Sequence, residues 1–194
     1  AMDLALFGRY FLDFALLYPS AFLCLASLWE KLRTPRRTAC IAAGCITLLC
    51  IGCAALCAVF GLNSNSLLPA IVLVSFWLLR WRVTPEVTVS QTAFLFSISA
   101  VMMAVCSLLS TLLNAQTEIS NPQTVCLAST ALLRLGLAAV LTVLFWFTAV
   151  QWSRWLLREY SGEAFWQSAW PLPALYAVFL VYCMPLNPAV VLVG

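Results

Sequence analysis

The chain has 194 residues, 64% of them hydrophobic and 9% charged, with a formal net charge of +3 and a mean hydropathy of +1.00. A water-soluble domain carries about 25% charged residues, so this chain lacks the polar surface to face water, and its apolar, aromatic make-up excludes disorder. Histidine is absent, which removes imidazole-dependent metalloprotease and phosphatase chemistry, Ser-His proteolysis and any phosphoacceptor histidine from this stretch of sequence.

Lipid is the remaining solvent, and at about 20 apolar residues per crossing the sequence predicts an all-α, polytopic bundle of six transmembrane helices. Barrel strands would alternate apolar and polar residues, whereas these runs are apolar on all sides. The first span covers about 4–29 and holds Arg9, Asp13 and Pro19. Arg9 lies one turn before Asp13 and can pair with it along the helix, while Pro19 predicts a kink. The break at 30–37 carries four basic residues.

The second span, 38–60, contains Cys40, Cys45, Cys50, Cys53 and Cys57 among many alanines and glycines. Small side chains let membrane helices approach closely, so packing is expected here rather than metal or redox chemistry. The third span, 67–79, is short unless it begins inside the uncharged loop 61–66, and Arg80 and Arg82 follow it. In the fourth span, 87–114, Ser107, Ser110, Thr111 and Asn114 fall at i, i+3, i+4 and i+7 and form one polar stripe.

A loop with one acid, Glu118, and no base precedes the fifth span, 124–150. Arg134 stands about ten residues into it, roughly 15 Å deep at 1.5 Å per residue. Residues Trp152–Tyr160 follow with Arg154 and Arg158, and predict an amphipathic extension along the inner leaflet. The sixth span, 168–186, opens at Pro171 and Pro173, where proline costs least. Residues 187–194 turn apolar again after Pro188. They read either as the first turns of a seventh span continuing past Gly194 or as an interfacial tail.

Eight basic residues fall in the three odd breaks and none in the two even ones. The positive-inside rule then places the odd breaks in the cytoplasm and the N-terminus outside. Ionisable groups within spans cost several kcal/mol and rarely lack a partner. Asp13 is the only acid at a depth comparable to Arg134, so a bridge between the first and fifth spans is expected. It serves either as a structural pin or as a binding and signalling site. With Ser107, Thr111 and Asn114 it outlines an outer-leaflet ligand pocket among the first, fourth and fifth spans. No catalytic residue, metal ligand set, cofactor or nucleic-acid surface is expected.

Three stretches carry a resemblance: Phe11-Leu12-Asp13-Phe14-Ala15-Leu16-Leu17-Tyr18-Pro19-Ser20, Val89-Ser90-Gln91-Thr92-Ala93-Phe94-Leu95-Phe96, and Phe165-Trp166-Gln167-Ser168-Ala169-Trp170-Pro171-Leu172-Pro173. They resemble the N-terminal multi-span sensor region of GHKL-type sensor histidine kinases of Gram-positive bacteria, relatives of peptide-pheromone receptors. The resemblance implies a non-enzymatic input module of a two-component system in the bacterial cytoplasmic membrane. It also implies a short peptide as ligand, a homodimer formed through cytoplasmic parts, and a kinase domain with its phospho-histidine beyond this chain. Read from the residues alone, a small-molecule transporter or the substrate-binding membrane subunit of a vitamin importer stands as the alternative.

Overall fold

The computed structural model describes residues 4–113, 128–160 and 162–179, and every regular element among them is helical. The first span is two helices, α1 (Leu4–Phe14) and α2 (Leu17–Ser27), separated at Ala15 and Leu16. Pro19 explains the position of the break. Its ring conflicts with the carbonyl four residues earlier and it has no N–H to donate there. That carbonyl belongs to Ala15, and Tyr18 takes it instead in a tighter turn, at 3.2 Å.

Helix α3 (Pro35–Phe60) starts with proline in its first turn and ends at Gly61, whose φ of 64° is the left-handed conformation that closes helices. Helix α4 (Ser64–Arg82) begins inside the polar loop and so reaches 19 residues, about 28 Å. Helix α5 (Val89–Leu113) is opened by a reciprocal capping pair: Thr88 N–H donates to Gln91 Oε1 at 2.9 Å and Gln91 N–H to Thr88 Oγ1 at 3.3 Å.

Helix α6 (Ala128–Phe145) passes through a π-helical turn, Trp146–Val150, directly into α7 (Gln151–Glu159). The expected amphipathic extension is therefore the continuation of one rod. Its exposed flank carries Trp152 and Trp155, while Ser153 and Leu156 are buried. Two short helices, α8 (Glu163–Ser168) and α9 (Pro171–Val178), follow. The residues on which the seventh-span expectation rests lie outside the described ones.

Among the described residues, four segments are long and apolar enough to cross a membrane: Leu4–Ser27, Pro35–Phe60, Val89–Ser110 and Ala131–Glu159. The first and third of these are 50% and 59% buried, the second and fourth only 17% and 11%. Helices α1, α2 and α5 therefore form the centre, with α3 and α6 laid against them. Cys50, Ala54 and Cys57, spaced to share one face of α3, are fully buried in this core, and Cys50 Sγ approaches the Phe14 carbonyl at 3.5 Å. Cys50 and Cys57 act as small packing residues, the role their alanine-rich surroundings suggest, while Cys40 is exposed.

The three basic breaks meet at one end of the bundle. The backbones of Arg33 and Thr84 donate to the carbonyls of Arg82 and Lys31 at 3.2 and 2.9 Å, Arg158 pairs with Glu30 at 2.7 Å, and Lys31 with Glu86 at 3.7 Å. Arg154 closes the last turn of α2 with two hydrogen bonds to the Ala26 carbonyl, at 3.1 and 2.9 Å. This basic end has its own small apolar core of Leu28, Leu32, Val83, Val87 and Leu95.

Candidate functional site

The opposite end of the bundle holds the buried charges. Asp13 sits on the last turn of α1, immediately before the break, and is 9% exposed. Arg134, on the second turn of α6, brings Nη1 to 3.4 Å from Asp13 Oδ1 and donates from Nε to Ser110 Oγ at 3.0 Å. Ser64, the first residue of α4, donates its hydroxyl to Asp13 Oδ2 at 3.0 Å. Four helices, α1, α4, α5 and α6, thus converge on one carboxylate and one guanidinium. In a low-dielectric interior each charge needs its partner and hydrogen bonds to its remaining polar atoms, and the two serines supply one such bond to each charge.

Scarcity of charge pointed to Asp13 and Arg134, and the fold brings them together. Ser110, part of the polar stripe, is the member that reaches Arg134. Asn114, and the side chains of Ser107 and Thr111, lie outside the described residues. Ser64 gave no signal as a partner because it reads as loop. Only its place at the start of a helix facing the α1 break could have marked it.

The space beside this cluster is about 10 Å³, bordered by Asp13, Leu68, Met103 and Arg134. That is room for about one water molecule. The cluster crosslinks four helices, and the rest of the pocket expected among the first, fourth and fifth spans, at the side chains of Ser107 and Thr111 and at Asn114, lies outside the described residues.

A larger cavity, about 130 Å³, lies between α2, α3, α4, α5 and α9. It runs from Leu17 and Met103, which also border the small cavity, to Thr38 and Arg82 at the basic end. Its lining is almost entirely apolar, and its rim carries the exposed side chains of Ile41, Leu78 and Trp81. Arg82 closes the basic end by donating to Thr38 Oγ1 at 3.1 Å and Thr34 Oγ1 at 2.6 Å. Sequence pattern gave no hint of this cavity, since its lining residues are of the same types as those in a filled core. Among the described residues no three of Cys, Asp and Glu gather as a metal-binding group.

No family model matches the chain, and neither a curated protein nor a solved structure matches it.

Proposed function

We propose that this chain is the membrane-embedded sensory input module of a signalling kinase, detecting an extracellular or membrane-borne ligand and passing a helix movement to a cytoplasmic kinase. One observation carries the reading: a single continuous rod bears Arg134 at one end and Arg154 and Arg158 at the other. Twenty residues separate Arg134 from Arg154, about 30 Å of helix. A change in the Asp13–Arg134 pair tilts or turns this rod, and the movement reaches the Ala26 carbonyl and Glu30 in the first basic break. The break at Ala15 and Leu16 gives α1 the freedom to respond without moving α2.

In this reading the basic end faces the cytoplasm, the N-terminus lies outside, and the host is a bacterial cytoplasmic membrane in which two copies work as a dimer. Short peptides are the ligand class that the resemblance to pheromone-receptor kinases implies. The transporter or importer-subunit reading keeps one supporting observation, the interrupted first span with Pro69 inside α4, because broken helices are common at transport sites.

Phosphotransfer tests the proposal. The natural gene product, purified into nanodiscs with any kinase it holds, is incubated with radiolabelled ATP as wild type and as Arg134→Lys. Labelling that changes severalfold while the thermal unfolding profile is retained is the expected result. Solute uptake into proteoliposomes, without any phosphorylation, would overturn it in favour of transport.

A further inference from the structure

We infer that the 130 Å³ cavity between α2, α3, α4, α5 and α9 is a binding site for the upper segment of one acyl chain of an anionic phospholipid, with Arg82 at its headgroup and the rest of the chain in the bilayer. The inference concerns a cavity that neither Asp13 nor Arg134 lines and stands whether or not the chain signals.

Shape and lining define the occupant's body. Ala21, Leu25, Ile46, Leu49, Val72 and Phe96 offer no polar group to hold water, and apolar cavities of roughly 150 Å³ stay dry and take up hydrocarbon instead. The exposed rim residues Ile41, Leu78 and Trp81 belong to α3, which is long and apolar enough to cross a membrane, and to α4, which the sequence pattern reads as the third span, so the opening lies between these two helices. What enters sideways there comes from the bilayer.

Two polar features define the rest of the ligand. Arg82 lines the basic end of the cavity, and among the described residues its partners are the neutral hydroxyls of Thr34 and Thr38 and the Trp81 ring, with no carboxylate. A guanidinium at headgroup level with uncompensated charge suits a phosphate oxygen. Tyr176, on α9, lines the same cavity, and its buried hydroxyl has no hydrogen-bond partner among the described residues. Buried hydroxyls are seldom left so, and an ester carbonyl is an acceptor that an acyl lipid brings with it. A long hydrocarbon, an ester and an anionic headgroup together describe a phospholipid rather than a soluble metabolite or a peptide.

Native mass spectrometry of the purified, delipidated protein tests this, with phosphatidylglycerol and phosphatidylcholine of identical chains added in turn. The wild type should retain one phosphatidylglycerol with about a fivefold preference, what one cation near an anionic surface is worth. Arg82→Gln should equalise the two lipids without abolishing either. Ser75→Phe, which fills the cavity, should release both, and Ala42→Leu on α3 serves as a second filling variant should the first aggregate. Tyr176→Phe should weaken retention while raising the melting temperature of the delipidated protein, because it removes the orphan hydroxyl. Val140→Phe, on the exposed face of α6, should change nothing. Equal retention of the two lipids by the wild type, undiminished retention by both filling variants, or displacement of the lipid by a peptide would each overturn the inference.

Discussion

The two ends of this bundle use the same chemistry, arginine bound to oxygen, to opposite effect. At one end the side chains of Arg134 and Asp13 are 12% and 4% exposed and leave room for about one water. At the other, the side chains of Arg158 and Glu30 are 65% and 52% exposed, and Arg82 lines the end of an apolar cavity. Burial decides what each contact contributes. A dry pair is costly to break because removing one partner strands the other charge. An exposed pair competes with water and contributes little. The buried end therefore holds its helices together more firmly than the exposed pairs hold the basic end.

Substitutions at the two ends can break this comparison. The largest effect is expected for Arg134→Leu, which leaves Asp13 unpaired and should cost about 3–5 kcal/mol, measured by circular dichroism during unfolding in mixed detergent micelles of rising SDS content. The double variant Asp13→Leu/Arg134→Leu should recover most of that loss, since neither charge is stranded. Next comes Ser64→Ala, which removes a donor from a buried carboxylate and should cost about 1.5–3 kcal/mol in the same assay. Arg154→Ala should cost about 1 kcal/mol, because it strips both of its hydrogen bonds from the Ala26 carbonyl. Smallest of all, Arg158→Ala should cost below about 1 kcal/mol, and that little should vanish in high salt. If Arg158→Ala proves as damaging as Arg134→Leu, the two ends are not different in kind.

The same contrast explains what could be read from the sequence. Charges in an apolar chain are few enough that Asp13 and Arg134 select each other, and the basic breaks, crowded with arginine, converge as their alternation predicts. Pro19 places the break in the first span because its steric conflict is local. Loop and helix are harder to separate where polarity alone is the guide. The run Asn63-Ser64-Asn65-Ser66 reads as a turn, yet α4 begins at Ser64 and supplies a partner to Asp13. The cavity was illegible for a different reason. Whether Leu49 touches a neighbour or an empty volume depends on helix spacing, and side-chain type says nothing about that. Six crossings rest on the lengths of the apolar runs and their direction on the charge pattern, and the structure contributes four crossing segments among the described residues and the convergence of the three basic breaks.

The π-helical turn at Trp146–Val150 has a mechanical meaning. Such a turn usually accommodates one extra residue, and one residue corresponds to about 100° of rotation around a helix axis. It acts as a fixed angular offset between the two parts of the rod, setting Arg154 against the end of α2 while Arg134 keeps its own bearing toward Asp13. Deleting a single residue there would leave every side chain of the cluster and of the basic end in the sequence but turn one set away from its partners. The rod is indexed like a keyed shaft, and the key is one residue wide.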